Sequence, residues 1–225
     1  MSGLARRIVR RLATSVGVAV HDARAAIAHR TLPTFANRPS GLVIDLPRQL
    51  VNPERMRFGD GVKIGPYSAL KANVRYPGGW LRHPDGDHVE QTFEPTLEIG
   101  ARVTATSALQ ITAFASIVIE DDVMFAANVF VADGTHATTR GDRPYKYQGI
   151  DRVAPVRICR GAWIGQNVVI TPGVTIGAHA VIGANSVVTR DVPEGCIATG
   201  TPARVIRRWS DDGWRSVPDG DGGGA

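Results

Sequence analysis

Six apolar residues recur every six positions without a break: Ile158, Ile164, Ile170, Ile176, Ile182 and Val188. Four places after each stands a second small or apolar residue, namely Ala162, Val168, Val174, Ala180, Ser186 and Val192. Ile, Leu and Val together make up just under a quarter of the chain, so six consecutive hits in one phase arise by chance roughly once in several thousand trials. A period of six fits no helix face, because six steps of about 100° land about 240° around the axis. Short strands do fit. The apolar sites of neighbouring hexads, such as Val168 and Ile170, are two residues apart and share one side of an extended segment. Pairs such as Gly177-Ala178 and Gly183-Ala184 supply the turns. Three strand-turn units make a coil of about 18 residues, and stacked coils form a triangular prism whose parallel strands lie about 4.8 Å apart.

The same phase runs upstream. Phe58, Ile64 and Leu70 with Val62, Ser68 and Val74 make one coil. Ile99, Ala105 and Ile111 with Val103, Leu109 and Ala115 make a second, and Ile119, Phe125 and Val131 with Val123, Val129 and Thr135 a third. Two more coils fill residues 158–193. The register slips at 76–98, 117–118 and 137–157, which predicts an insertion, a bulge and a protruding loop. Loops that leave a rigid prism are where chemistry is usually placed. The organisation expected is a basic arm over 1–57, a parallel β-helix over 58–209 and a flexible tail over 210–225.

Charge is uneven along this frame. Residues 1–57 hold ten Arg against Asp22, Asp45 and Glu54, a net of +7, while the rest of the chain sums to −2. The basicity therefore belongs to the arm, which argues against a nucleic-acid-binding core and for an anionic surface or acidic partner. At 100° per residue Leu4, Ile8, Leu12, Val16 and Val20 form an apolar stripe with Arg6, Arg7, Arg10 and Arg11 opposite. Such an amphipathic helix can lie on an anionic membrane or pack on its own prism. No apolar run approaches the eighteen or so residues that span a bilayer. Cys159 and Cys196 form no CxxC or Cys/His cluster, so free thiols and a cytoplasmic location are expected, with peripheral contact at the inner membrane surface.

The stretch WIGQNVVITPGVTIGAHAVIGANSVVTRDVPEGCIATGTPARVI resembles the C-terminal signature of hexapeptide-repeat acyltransferases. These are left-handed parallel β-helix enzymes that include galactoside, maltose and polysaccharide O-acetyltransferases. VFVADGTH followed by a long loop resembles the segment carrying their catalytic histidine. The resemblance implies a left-handed helix, a homotrimer with sites between subunits, and acetyl-CoA as cosubstrate. Transfer of an acetyl group to a sugar hydroxyl needs a base to take the hydroxyl proton, and imidazole suits that task near neutral pH. His136 is the matching residue. Asp133 either orients the imidazole or is a turn residue before Gly134. By the same matching, Trp163 lines the acyl-donor channel, the backbone N–H near Gln166 is the oxyanion donor, and Ala184, Thr189 and Arg190 flank pantetheine. Arg204 and Arg207 lie near the nucleotide end of coenzyme A, where a planar fork of donors suits phosphate.

The acceptor side departs from the sugar enzymes, which grip their substrate with an Asn and an Asp. This chain offers Thr106, Ser107, Gln110 and Thr112, together with Asn128. The acceptor expected is a hydroxyl of a sugar or surface-polysaccharide precursor. Residues 76–96 carry His83, Asp85, Asp87 and His88. They read as a polar, Gly/Pro-rich surface insertion, as a cover over the acceptor pocket, or as a metal loop; no metal is expected. Two other functions share the prism. A zinc enzyme of the gamma carbonic anhydrase kind needs three histidines including a close pair, whereas no histidine lies between His136 and His179. A scaffold without catalysis leaves the protruding loop and Trp163 unexplained.

Overall fold

A computed structural model describes residues 31–217 continuously and, before them, Arg7, Thr14, Val16, residues 18–20, 22–23 and 26–30. The chain winds as a left-handed parallel β-helix with three flat faces. Face A stacks Val43–Ile44, Lys63–Ile64, Thr104–Ala105, Met124–Phe125, Trp163–Ile164, Val181–Ile182 and Cys196–Gly200. Face B stacks Arg48–Val51, Ser68–Ala72, Gln110–Ala113, Phe130–Ala132, Val169–Ile170 and Val187–Val188. Face C stacks Met56–Phe58, Thr96–Ile99, Ser116–Ile119, Val156–Ile158 and Thr175–Ile176.

The hexad residues are the core. Ile158, Ile164, Ile170, Ile176 and Ile182 have no accessible surface, and Val188 is 1% exposed. They stack in register, Ile158 on Ile176, Ile164 on Ile182 and Ile170 on Val188. Serine enters this apolar column where the turn satisfies it. The buried Ser186 hydroxyl donates to the Gly183 carbonyl at 2.7 Å and accepts the Gly200 N–H at 3.0 Å. Ser68 repeats the pattern with Gly65 and Leu109. Coils approach so closely at some turns that a side chain has no room. A Cβ on Gly65 would lie 1.8 Å from the Thr106 carbonyl oxygen.

Three boundaries differ from expectation. The helix begins at Val43 rather than at 58, because Leu42, Ile44 and Met56 already fill the interior of a preceding coil. Residues 31–42 then close its open end: Phe35 packs edge-on against Phe58 at 4.8 Å, and Ala36 N–H donates to the Met56 carbonyl. No bulge falls at 117–118, where Ser116–Ile119 is a regular strand with Ile117 and Ile119 inside. The two extra residues sit at the preceding corner, where Ala113 rather than Ala115 points inward. Residue 210 does not start a loose tail either. Ala203–Ser210 folds back on Cys196–Gly200, and Gly213–Ser216 follows as a further antiparallel strand; residues 218–225 lie outside the described residues.

The described residues before 31 are helical. Val16 and Val20 of the expected stripe are exposed, whereas Leu4, Ile8, Leu12, Arg6, Arg10 and Arg11 lie outside the described residues. The helix ends against the prism. Ala28 is buried, and its carbonyl accepts the Arg48 guanidinium at 3.0 Å.

Candidate functional site

Both long excursions leave the prism at the corner between faces B and C, two coils apart. The lower one, expected as 76–98, rises on an antiparallel stem of Arg75–Tyr76 and Gln91–Thr92. The upper one, expected as 137–157, follows Gly134–His136, returns as Ile150–Val153 and ends before the face C strand at Val156. Between them the corner carries Phe114, turned outward into a small second core with Tyr76 and Ile150. Gly134 is required there, since a Cβ would stand 2.7 Å from the Phe114 ring.

The excursions clasp each other. Gln91 donates its amide to the Ile150 carbonyl at 2.8 Å and accepts the Ile150 N–H at 2.7 Å. Arg143 reaches Asp87 at 2.9 Å, Val89 N–H donates to the Tyr147 carbonyl, and His83 packs edge-on against Tyr147. The insertion thus braces the loop. Its polar residues pair among themselves and with arginines: His88 with Glu90 and the His83 N–H, Glu90 with Arg82, His83 with Asp85, and Asp87 with Arg143. Among the described residues no three His, Cys, Asp or Glu side chains converge as metal ligands do.

His136 ends its strand opposite Ile150, with its side chain exposed. Its Nδ1 lies 3.4 Å from the Tyr76 hydroxyl, and the two rings meet edge-on with centroids 5.5 Å apart. Tyr76 is 4% exposed, and burial pushes its phenol pKa up, so it stays protonated across the neutral range. Its hydroxyl donates to the Lys146 carbonyl.

Asp133 does not orient the imidazole. Its fully buried carboxylate accepts the N–H of Phe114 at 2.6 Å and of Ala115 at 2.8 Å, one on each oxygen. Burial raises its pKa, with those backbone bonds working in the opposite direction. Asp133 therefore closes the wide corner of the coil below, where two extra residues leave N–H groups without ladder partners. Sequence reasoning also passed over Tyr76 and Gln91. Neither belongs to a motif, and both lie in the insertion far from His136 in sequence.

The other expected site residues lie elsewhere on the prism. Ser107, Asn128, Gln166 and Ala184 run up the corner between faces A and B. Ser107 is half-buried with its carbonyl accepting the Asn128 N–H. The Asn128 amide donates to Asn167 and that of Asn167 to Asn185, each at 2.9 Å, in a ladder of left-handed residues. That ladder gives Asn128 a structural task. Gln110 is exposed at mid-face B, in register with Phe130. Trp163 projects from face A, 47% exposed, between Met124 and Val181. Thr189 and Arg190 are exposed after the last face B strand, on the corner of His136 but higher. Arg204 and Arg207 are exposed on the returning strand that extends face A. Within one chain the imidazole and the Trp163 column stand on opposite sides of the prism. The geometry joins neither to the other.

A family model described as bacterial transferase hexapeptide (six repeats) matches residues 155–190. Galactoside O-acetyltransferase of Escherichia coli (strain K12) is 36% identical over 132 residues, which are 59% of this chain and 62% of that protein. WbbJ of the same strain, assigned by name alone as a lipopolysaccharide biosynthesis O-acetyl transferase, is 31% identical over 48% of this chain and 58% of its own length. The chain thus matches about three fifths of the length of these relatives. Among solved structures, a variant of AntD, an N-acyltransferase from Bacillus cereus in complex with dTDP and coenzyme A, superposes with a TM-score of 0.62. It is 18% identical and covers 79% of this chain and 86% of its own, a likeness of fold. Its hexad core matches the hexapeptide model over residues 155–190, and the chain is similar in sequence to hexapeptide-repeat O-acetyltransferases and, as a left-handed β-helix, similar in fold to an N-acyltransferase.

Proposed function

We propose that this chain is an acetyl-CoA-dependent O-acetyltransferase, with His136 as the general base that takes a proton from a hydroxyl of a sugar or surface-polysaccharide precursor. The observation that carries the reading is the setting of His136: an exposed imidazole on a braced strand, at the corner where the prism opens into loops. The transfer is direct. The acceptor oxygen attacks the thioester carbonyl as its proton passes to the imidazole, and coenzyme A leaves as the thiol. The names of the galactoside and lipopolysaccharide relatives support a glycan acceptor.

The donor is proposed to lie along Trp163, Gln166 and Ala184 of a neighbouring chain, with Arg204 and Arg207 near its phosphates. The upper coils of two outer faces are suited to such neighbours. Face A shows Met124, Trp163, Val181 and Ile197 above Lys63 and Thr104, and face B shows Phe130, Val169 and Val187 above Gln110, whereas face C shows Arg57, Glu98 and Arg157 around Val118. A homotrimer that buries faces A and B brings the imidazole of one chain to the donor column of the next.

The test is acceptor-dependent thiol release from acetyl-CoA with a glycan panel, paired with calorimetric titration of coenzyme A. His136→Ala is expected to lose a hundred- to ten-thousand-fold in turnover, in the range typical of a lost general base, and to keep coenzyme A affinity. Arg204→Ala with Arg207→Ala weakens coenzyme A binding instead. Wild-type turnover in His136→Ala, with an acceptor the enzyme uses, refutes the assignment.

A further inference from the structure

We propose that Tyr76 is a positioning residue that sets the tautomer of His136, leaving Nε2 as the basic nitrogen; this rests on the reading of His136 as the base. A phenol has one proton to give, and that of Tyr76 goes to the Lys146 carbonyl. Toward Nδ1 of His136, 3.4 Å away, the Tyr76 oxygen is therefore an acceptor. An acceptor beside Nδ1 favours the N–H there, which leaves the lone pair on Nε2. Free imidazole side chains prefer the other tautomer, so the hydroxyl works against an intrinsic bias.

Among the described residues no carboxylate bonds the imidazole. Both oxygens of Asp133 are committed to Phe114 and Ala115. The Lys146 ammonium stands 4.8 Å over the Tyr147 ring. What holds the phenol in place is a closed circuit of four residues. Tyr76 pairs with Gln91 across the insertion stem, Gln91 bonds both ways to Ile150, Ile150 pairs with His136, and His136 meets Tyr76. The phenol ring is wedged beside Phe114 and Ile150. This gives the insertion a role in the chemistry, because the residue that sets the imidazole belongs to the insertion's own stem.

The test uses the full chain labelled with 15N-histidine. Long-range 15N–1H correlation, at a pH where the ring is neutral, distinguishes the two tautomers. Wild type is expected to show His136 protonated at Nδ1, and Tyr76→Phe, which keeps the ring in its cluster, shifts the population toward Nε2–H. Turnover in Tyr76→Phe falls about tenfold, the scale of one lost hydrogen bond, while the KM for acetyl-CoA holds. A wild-type spectrum showing Nε2–H overturns the proposal, as does a Tyr76→Phe spectrum identical to wild type. The wild-type spectrum decides even where the variant folds poorly. The turnover of His136→Ala judges the base reading separately: if it stays at the wild-type level while the tautomer behaves as expected, the base assignment falls and the Tyr76 contact stands.

Discussion

Replacing Asp133 by Asn separates a structural carboxylate from a catalytic one. The side chain is fully buried, and its two oxygens accept two backbone N–H groups at 2.6 and 2.8 Å. Asn keeps the shape but turns one acceptor into a donor. Either the Phe114 or the Ala115 N–H then faces an NH2 group in a fully buried site, and a buried donor left unpaired costs about 1–3 kcal/mol. For a chain of this size each kcal/mol moves the thermal midpoint by about 2–4 °C, so the variant should melt several degrees lower. The pH dependence carries a second signature. The native Asp133 pKa is raised, so the folded chain holds this proton to higher pH than the unfolded chain does. The group's contribution to stability therefore falls as pH rises from the ordinary aspartate range through the native value, and Asp133→Asn removes that slope. Thermal melts of both proteins across the acid range measure it, with thiol release run in parallel. An unchanged midpoint with turnover lowered a hundredfold or more would show that Asp133 acts on the imidazole, and would refute the corner role.

Gln91→Leu removes both bonds to Ile150 while preserving bulk; amide hydrogen exchange should accelerate over 137–153 and stay slow in the strands from 156 to 188, and uniform protection would mean the clasp is idle. Two orphaned backbone groups there cost about 1–3 kcal/mol each where they stay dry. Deleting residues 1–30 removes six Arg against one Asp, each basic charge contributing on the order of 1 kcal/mol at an anionic leaflet. The truncated chain should lose sedimentation with anionic vesicles and keep transfer to a soluble acceptor, and equal sedimentation of both forms rules out the membrane reading.

The β-helix was legible because its core is written as a strict period: each hexad contributes two inward residues four apart, such as Ile164 and Val168, and both are fully buried. Legibility failed where small residues made the phase ambiguous. Ala113 and Ala115 both suit the interior, and their identity alone does not say which one turns in. The coil from Val43 to Phe58 escaped notice because Ile44 and Leu50, though six apart, run two residues out of phase with Phe58, Ile64 and Leu70, across the corner where Pro53–Arg55 forms a 3-10 turn. His136 stood out through its local context. The partners of Asp133 did not, since backbone N–H groups one coil below leave no mark on side-chain identity. Tyr76 was hidden for a related reason: its link to His136 runs through a stem pairing and an amide clasp between two irregular segments.

The claim that a complete site lies between chains is tested most directly by mixing two inactive variants. His136→Ala lacks the proposed base, and Trp163→Glu puts a charge in the proposed donor wall on the opposite side of the prism. In trimers assembled at random from equal amounts, a site taking His136 from one chain and Trp163 from the next is intact in about a quarter of cases. Co-refolded mixtures, with mixed trimers verified by mass, are expected to regain about a quarter of wild-type thiol release. Activity no higher than the sum of the separate variants would place both residues in one chain's site and contradict the inter-chain assembly.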